Sequence, residues 1–222
     1  MSGATPDETT LRRAVVEAVR RLDALGLNRG STGNVSARWQ GGFLITPTGM
    51  GSEVEPEDLA WVSDEGSEGC RFEGRWQPSS EWHFHGAAYR ARHDLMAVVH
   101  THSPHATALA CLRRPLPAFH YMVAVAGGHD VPLVPYHTFG TEALSLAVGQ
   151  ALSDRLACIL ANHGLVAAGS SLAQAMKVVV EIESLCGIYL QALAVGEPAL
   201  LSAAQMDEVL AKFSRYGRSQ RA

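Results

Sequence analysis

The chain has 222 residues, 47% hydrophobic and 18% charged, a mix that can bury one substantial core and is too apolar for disorder. Its formal net charge of −4 provides no basic field, which argues against nucleic acid and anionic membrane as partners. Met1–Thr10 is polar and acidic rather than basic-then-apolar, and the longest apolar runs fall short of a membrane span.

One domain over residues 1–222 is expected, with 1–8 flexible, since no Pro/Ser-rich linker or charge block interrupts the chain. The four cysteines, Cys70, Cys111, Cys158 and Cys186, form no Cys-x-x-Cys pair, so buried free thiols and a cytoplasmic location are expected. Leu11, Val15, Val19 and Leu22 recur at helical spacing and predict a helix over Thr9–Leu25, stopped by Gly26. Asn34–Trp39 and Phe43–Thr46 flank Gln40-Gly41-Gly42 as a hairpin, and Leu59–Ser63 reads as a short strand. Asp64–Gly74 is Gly-rich and acidic, a surface connection. Ser79 or Ser80 caps a helix that runs through Glu81, Ala87 and Arg90, and Leu95–His102 is a strand. Ser103-Pro104 opens another helix, with Ser as cap and Pro in the first position. Strands broken at Gly127-Gly128 are expected between Leu116 and Tyr136. After them come a helix from Thr141 to Leu152, a strand over Ala157–Asn162, and helices over Leu172–Val195 and Ala203–Phe213.

Alternation along the strand puts His100 and His102 on one face, close enough to share a metal ion, and His163 at the end of a second strand offers a third imidazole. Three neutral nitrogen ligands with a position left open describe a catalytic rather than a structural zinc. The remaining histidines, His83, His85, His93, His105, His120, His129 and His137, read as structural residues. Glu81 lies in the first turn of a helix, where the macrodipole favours its carboxylate, and an acid near an open zinc can take a proton from carbon beside a polarised carbonyl. Three clusters, Ser31-Thr32-Gly33-Asn34, Thr46-Pro47-Thr48-Gly49 and Ser79-Ser80, offer N–H groups and hydroxyls that suit a phosphate, without the P-loop pattern of a nucleotide triphosphate site. Lys177 and Lys212, the only lysines, read as surface residues, so Schiff-base chemistry is not expected.

Gly33-Asn34-Val35-Ser36, Ile45-Thr46-Pro47-Thr48-Gly49, Pro78-Ser79-Ser80-Glu81-Trp82, Val98-Val99-His100-Thr101-His102, His120-Tyr121-Met122 and Asn162-His163-Gly164 occur in an order that resembles the class II aldolase/adducin family. The resemblance extends from Leu11 to Tyr216. It implies an α/β fold, a mixed, mainly antiparallel sheet with helices on both faces. It implies zinc or another divalent ion on His100, His102 and His163, with Glu81 as general base. By the same resemblance Ser31, Asn34, Thr48, Gly49, Ser79 and Ser80 match phosphate-binding positions, and Phe139 and Tyr216 match substrate-pocket aromatics. Tyr121 matches an acid reaching the site from a neighbouring subunit of a homotetramer. The implied reaction is reversible cleavage of a ketose 1-phosphate, of the L-fuculose 1-phosphate type, to dihydroxyacetone phosphate and an aldehyde. Glu81 and Tyr121 favour an aldolase over the family's pentulose-phosphate epimerases. A thioribulose-phosphate dehydratase shares the acid near zinc, and adducin is a binding module without the ligands. Thr101, Ser103 and the long Asp64–Gly74 connection depart from the pattern and leave the aldehyde open.

Overall fold

The computed structural model describes residues 7–65 and 69–214. Helix α1 (Glu8–Ala24) begins where the Asp7 carboxylate accepts the Thr10 N–H, and it ends at Leu25 before Gly26 takes a left-handed conformation. The hairpin β1 (Asn34–Trp39) and β2 (Gly42–Ile45), then β3 (Ala60–Ser63) and β4 (Phe72–Glu73), form one side of the sheet. Helix α2 (Trp82–Ala91), strand β5 (Ala97–Thr101) and helix α3 (Pro104–Cys111) follow. Strand β6 (Leu133–Val134), helix α4 (Glu142–Ala151), strands β7 (Ala157–Leu160) and β8 (Gly164–Gly169), and helices α5 (Leu172–Val195) and α6 (Ala203–Phe213) complete the order.

The eight strands lie in the order β4-β3-β2-β1-β5-β8-β7-β6, antiparallel throughout except for the parallel pair β6 and β7. Helices cover both faces, and strand alternation sorts side chains between two cores. Ala97 and Val99 of β5 join Val15 and Leu22 of α1, Leu109 of α3 and Val179 and Ile182 of α5 in the larger core. Val98 points the other way, into a smaller core with Phe84 and Tyr89 of α2 and Leu144 and Val148 of α4. His100 follows Val98 by two residues, which places its ring on the side that α2 covers.

Four local expectations are corrected. The connection Asp64–Gly74 contains β4, which pairs with β3 at the edge of the sheet. Between Leu116 and Tyr136 the strands reduce to the bridge Leu116–Val131 and the two residues of β6, while Tyr121–Ala126 is a 3₁₀ helix closed by left-handed Gly127. Pro115, Pro117, Pro132 and Pro135 remove ladder donors from that stretch. Strand β8 was not foreseen, because its Gly-Leu-Val-Ala-Ala-Gly sequence carries little β propensity and owes its strand form to pairing with β5 and β7. Cys158 and Cys186 are buried free thiols as expected, but Cys70 is half-buried and Cys111 is exposed. Helix α5 has the length and mean hydropathy of a membrane span, but Lys177, Glu181 and Glu183 interrupt its apolar sequence, so no uninterrupted apolar run reaches that length. The helix instead lies on the sheet and buries Ala175, Val179, Ile182, Cys186 and Tyr189.

Helix α3 starts immediately after His102, and its N-terminus is held in a way the sequence did not announce. Ser103 occupies the cap position but its side chain makes no capping bond. The buried Glu183 carboxylate of α5 accepts the N–H groups of His105 and Ala106, each at 2.8 Å, and His105 Nδ1 at 2.9 Å. Glu183→Ala should therefore lower unfolding stability by about 2–3 kcal/mol, the scale of a lost cap and stranded buried donors. Urea unfolding followed by circular dichroism measures it, and an unchanged midpoint would show that the start of α3 is held by something else.

Candidate active site

His100 lies in β5 and His102 just beyond its end, while His163 sits in the tight turn between β7 and β8, where its N–H donates to Leu160 O. The β5–β8 register pairs Thr101 with Leu165 and so carries the next residues, His102 and Gly164, alongside each other. A Cβ on Gly164 would collide with the Thr101 carbonyl oxygen and crowd the His102 ring, so only glycine lets the turn close here. Asn162 supplies the turn's left-handed residue, with φ of 55°. On the other side, Asn28 Oδ1 accepts the His102 N–H at 3.2 Å. Gly33, at φ of 75°, has no room for a Cβ between Asn28 and the His100 carbonyl.

These constraints bring one nitrogen from each of His100, His102 and His163 within 4.8 Å of one another. His100 Nδ1 donates to Leu165 O at 3.0 Å, which leaves its Nε2 as a lone pair facing His102 Nε2, also at 3.0 Å. Burial pushes His100 down to about 3, against the attraction of Glu81, and burial with His163 lowers His102. Both rings are therefore neutral near pH 7, the form that ligates metal.

Glu81 completes the cluster from α2. It is the N-cap residue rather than part of the first turn, and its carboxylate turns inward instead of capping the helix. Its Oε2 lies 3.3 Å from His100 Nε2 and its Oε1 lies 3.2 Å from His163 Nε2. Burial opposes its charge, but the neighbouring His163 ring and the Asn34 amide hold the carboxyl well below the usual carboxylate range. Oε1 is buried without a hydrogen-bond partner. Three converging imidazoles beside an anion with an unpartnered oxygen form a donor set suited to a divalent cation.

The cluster opens into a cavity of about 330 Å³, lined by Ser31, Asn34, Thr48, Gly49, Ser79 and Ser80 together with Glu81, His102, His163 and Phe139. Two of the three Ser/Thr clusters meet through an isolated bridge between Pro47 and Pro78. There the N–H groups of Thr48 and Ser79 are already engaged by Gln77 O and Thr46 O. Asn34 is buried at the wall, where its amide nitrogen donates to Ser79 Oγ at 3.0 Å and to Glu81 Oε2 at 2.9 Å. Tyr121 is not brought to this cavity. It is half exposed on the 3₁₀ helix and lines a separate cavity of about 650 Å³ against α5 and α6. Tyr216 lies outside the described residues. Sequence reasoning missed Asn28, which anchors His102, and Tyr136 and His137, which line the cavity beside Phe139. Asn28 has no spacing signal, since it acts through a single backbone bond.

The sequence profile of the class II aldolase and adducin N-terminal domain matches residues 13–190. A 5-methylthioribulose-1-phosphate/5-deoxyribulose-1-phosphate aldolase of Rhodospirillum rubrum is 46% identical over 208 residues, covering 93% of this chain and 92% of its own. An L-fuculose phosphate aldolase of Escherichia coli O6:H1 is 45% identical over 212 residues, covering 95% of this chain and 97% of its own. A solved L-fuculose 1-phosphate aldolase superposes with a TM-score of 0.88 at 36% identity, covering 96% of this chain and all of that one.

The buried imidazoles also set an acid limit. His85 and His100 are held at about 3 by burial, against 6.5 for a free imidazole, so between these values the unfolded chain binds more protons than the folded one. Their contribution to stability is complete above 6.5 and is lost as pH falls toward 3. Thermal melts of chelator-treated protein should show Tm falling steadily below this point. A Tm unchanged from about pH 7 to about pH 4.5 would contradict two neutral buried rings.

Proposed function

The chain belongs to the class II aldolase and adducin family and is a metal-dependent aldolase, and we propose that it reversibly cleaves a ketose 1-phosphate, of the L-fuculose 1-phosphate type, to dihydroxyacetone phosphate and a short aldehyde. One observation carries this reading: the Glu81 carboxylate lies within 3.3 Å of two of the three clustered imidazoles, at the wall of a cavity rich in Ser and Thr hydroxyls. His100, His102 and His163 would hold zinc. When bound there, the ion supplies a Lewis acid that polarises the substrate carbonyl and lowers the barrier to forming charge beside it.

The protein's own groups then divide the remaining work. Hydroxyls of Ser31, Thr48, Ser79 and Ser80, with the Gly49 backbone, seat the phosphate, and Asn34 closes the wall behind them. In the condensation direction Glu81 takes a proton from the hydroxymethyl carbon of dihydroxyacetone phosphate, and that carbon bonds to the aldehyde carbon. Tyr121 of a neighbouring subunit gives its proton to the aldehyde oxygen, and cleavage runs the same steps in reverse. The exposure of Tyr121 away from its own chain's cavity supports this assignment and a homotetramer that shares its sites. Tyr216 would help cover the cavity.

The relatives' substrates differ only in the aldehyde half. L-fuculose, 5-deoxyribulose and 5-methylthioribulose all end in a methyl or methylthio group, so the pocket must receive an apolar terminus. Phe139 and Tyr136, exposed at the cavity wall, offer that surface. The R. rubrum relative therefore supports a second reading, cleavage of a five-carbon deoxy or methylthio ketose 1-phosphate, as the natural activity.

Incubation with these three ketose 1-phosphates should release dihydroxyacetone phosphate from at least one, detected by a coupled reductase. No release from any of them would refute the aldolase reading. Glu81→Gln should lower kcat by about 10²–10⁴-fold, the usual contribution of a general base. Dialysis against a chelator should abolish activity and zinc should restore it, with the metal retained at one equivalent in the parent and lost in His102→Ala. Full activity in His102→Ala would overturn the ligand assignment.

A further inference from the structure

Behind the cavity, α2 and β1 meet along a buried polar seam that runs from Glu81 and Asn34 to Ser36, His85 and Tyr89, three residues without a role in the proposed reaction. Glu81, His85 and Tyr89 succeed one another at four-residue spacing down one stripe of α2, and Asn34 and Ser36 share the facing side of β1. All five are buried, and Ser36, His85 and Tyr89 are fully so. Their hydrogen bonds form one unbroken chain: Asn34 Nδ2 to Glu81 Oε2 at 2.9 Å, His85 Nε2 to Asn34 Oδ1 at 2.6 Å, Ser36 Oγ to His85 Nδ1 at 2.7 Å, and Tyr89 Oη to Ser36 Oγ at 2.8 Å.

The charge at one end fixes the direction of every bond. A carboxylate only accepts, so the nitrogen of the Asn34 amide must face Glu81, because a flipped amide would set oxygen against oxygen. Asn34 Oδ1 then faces His85, which must carry its proton on Nε2. His85 Nδ1 is left as an acceptor, so the Ser36 hydroxyl donates to it. The Tyr89 hydroxyl in turn donates to Ser36. The far end is anchored, since Arg38 donates to Tyr89 O at 2.7 Å and stacks its guanidinium 4.7 Å from the Tyr89 ring centre. His85 is neutral, pushed down to about 3 by its burial, and so adds no competing charge.

We propose that His85 is a positioning residue of the reaction, which with Ser36 and Tyr89 locks the Asn34 amide so that it donates to Glu81 Oε2 and holds the base in one orientation, with Oε1 left unpartnered. This rests on the reading of Glu81 as the base. It also changes the role of Asn34: its amide nitrogen is committed to Ser79 and Glu81 and its oxygen to His85, so its side chain serves the base rather than the phosphate.

The tautomer is the first test. In full-length protein labelled with ¹⁵N-histidine, the His85 ring should be protonated at Nε2, with Nδ1 in the acceptor range, and protonation at Nδ1 would overturn the proposal. This measurement uses the unaltered protein, so it decides the matter even where a variant fails to fold. In the zinc-loaded enzyme, His85→Leu should lower kcat by about 10–100-fold with KM changed less than about twofold, as for an interaction that matters only in the transition state. His85→Gln keeps an N–H toward Asn34 and should recover kcat to within about fivefold of the parent. Because His85 acts through Glu81, His85→Leu should cost nothing further in a Glu81→Gln background. A loss confined to KM, or additive losses in the double variant, would overturn the proposal. An undiminished kcat in Glu81→Gln alone would instead remove the reading of the base, a distinct outcome.

Discussion

Antiparallel pairing of β5 with β8 is the constraint on which the rest of the site depends. The register that sets Thr101 opposite Leu165 delivers His102 and His163 to the same end of the sheet. It also gives His100 Nδ1 a carbonyl to bond, which aims Nε2 at its neighbours. A shift of one residue would turn His100 into the larger apolar core, because each step along a strand exchanges faces. The pairing is in turn protected from such a slip by the apolar residues it alternates, Ala97 and Val99 on one side and Val98 on the other.

The second element of the site comes from the opposite layer. Helix α2 packs its aromatic stripe over the smaller core, so its N-terminus ends above the imidazoles and Glu81 projects among them. Phe84 meets the His100 ring edge-on at 5.4 Å, which excludes water from the back of the cluster and keeps its electrostatics strong. The carboxylate is thus surrounded by buried groups, with Asn34 held by its own hydrogen bonds. At the mouth, the hydroxyl-bearing turns meet through the Pro47–Pro78 bridge.

Much of this was legible in the chain. Helix α5 was bounded correctly because Ser171 and Gly196 punctuate an apolar run, and the β1–β2 hairpin because Gly41-Gly42 interrupts alternation. The convergence of His100, His102 and His163 followed from strand alternation, although His102 lies past the strand end and depends on Asn28, which no periodicity marks. Strand β8 was invisible because small residues encode it, and its form comes from its neighbours. The region around Tyr121, expected as strands broken at Gly127-Gly128, forms a 3₁₀ helix instead, and four nearby prolines remove the ladder donors that strands need. The polar seam was written in the sequence as Glu81, His85 and Tyr89 at helical spacing, but a histidine on a helix carries no label until the strand that faces it is known.

The two ends of the imidazole cluster are far apart along the chain and close in space, which gives the centre a mechanical meaning beyond its chemistry. An ion shared by His100, His102 and His163 would act as a removable cross-link that ties the end of β5 to the β7–β8 turn. An ion that binds the folded chain in preference to the unfolded one adds stability by mass action, up to about 2.7 kcal/mol at a hundredfold excess over its dissociation constant. Helices α3 and α5 share a core with β5 and β8, and Asn34 of the cavity wall pairs with His100 across β1 and β5. With such an ion in place, the folded lifetime of the protein would be tied to the metal supply of its surroundings, and a chain short of metal would lose durability along with its reactive centre.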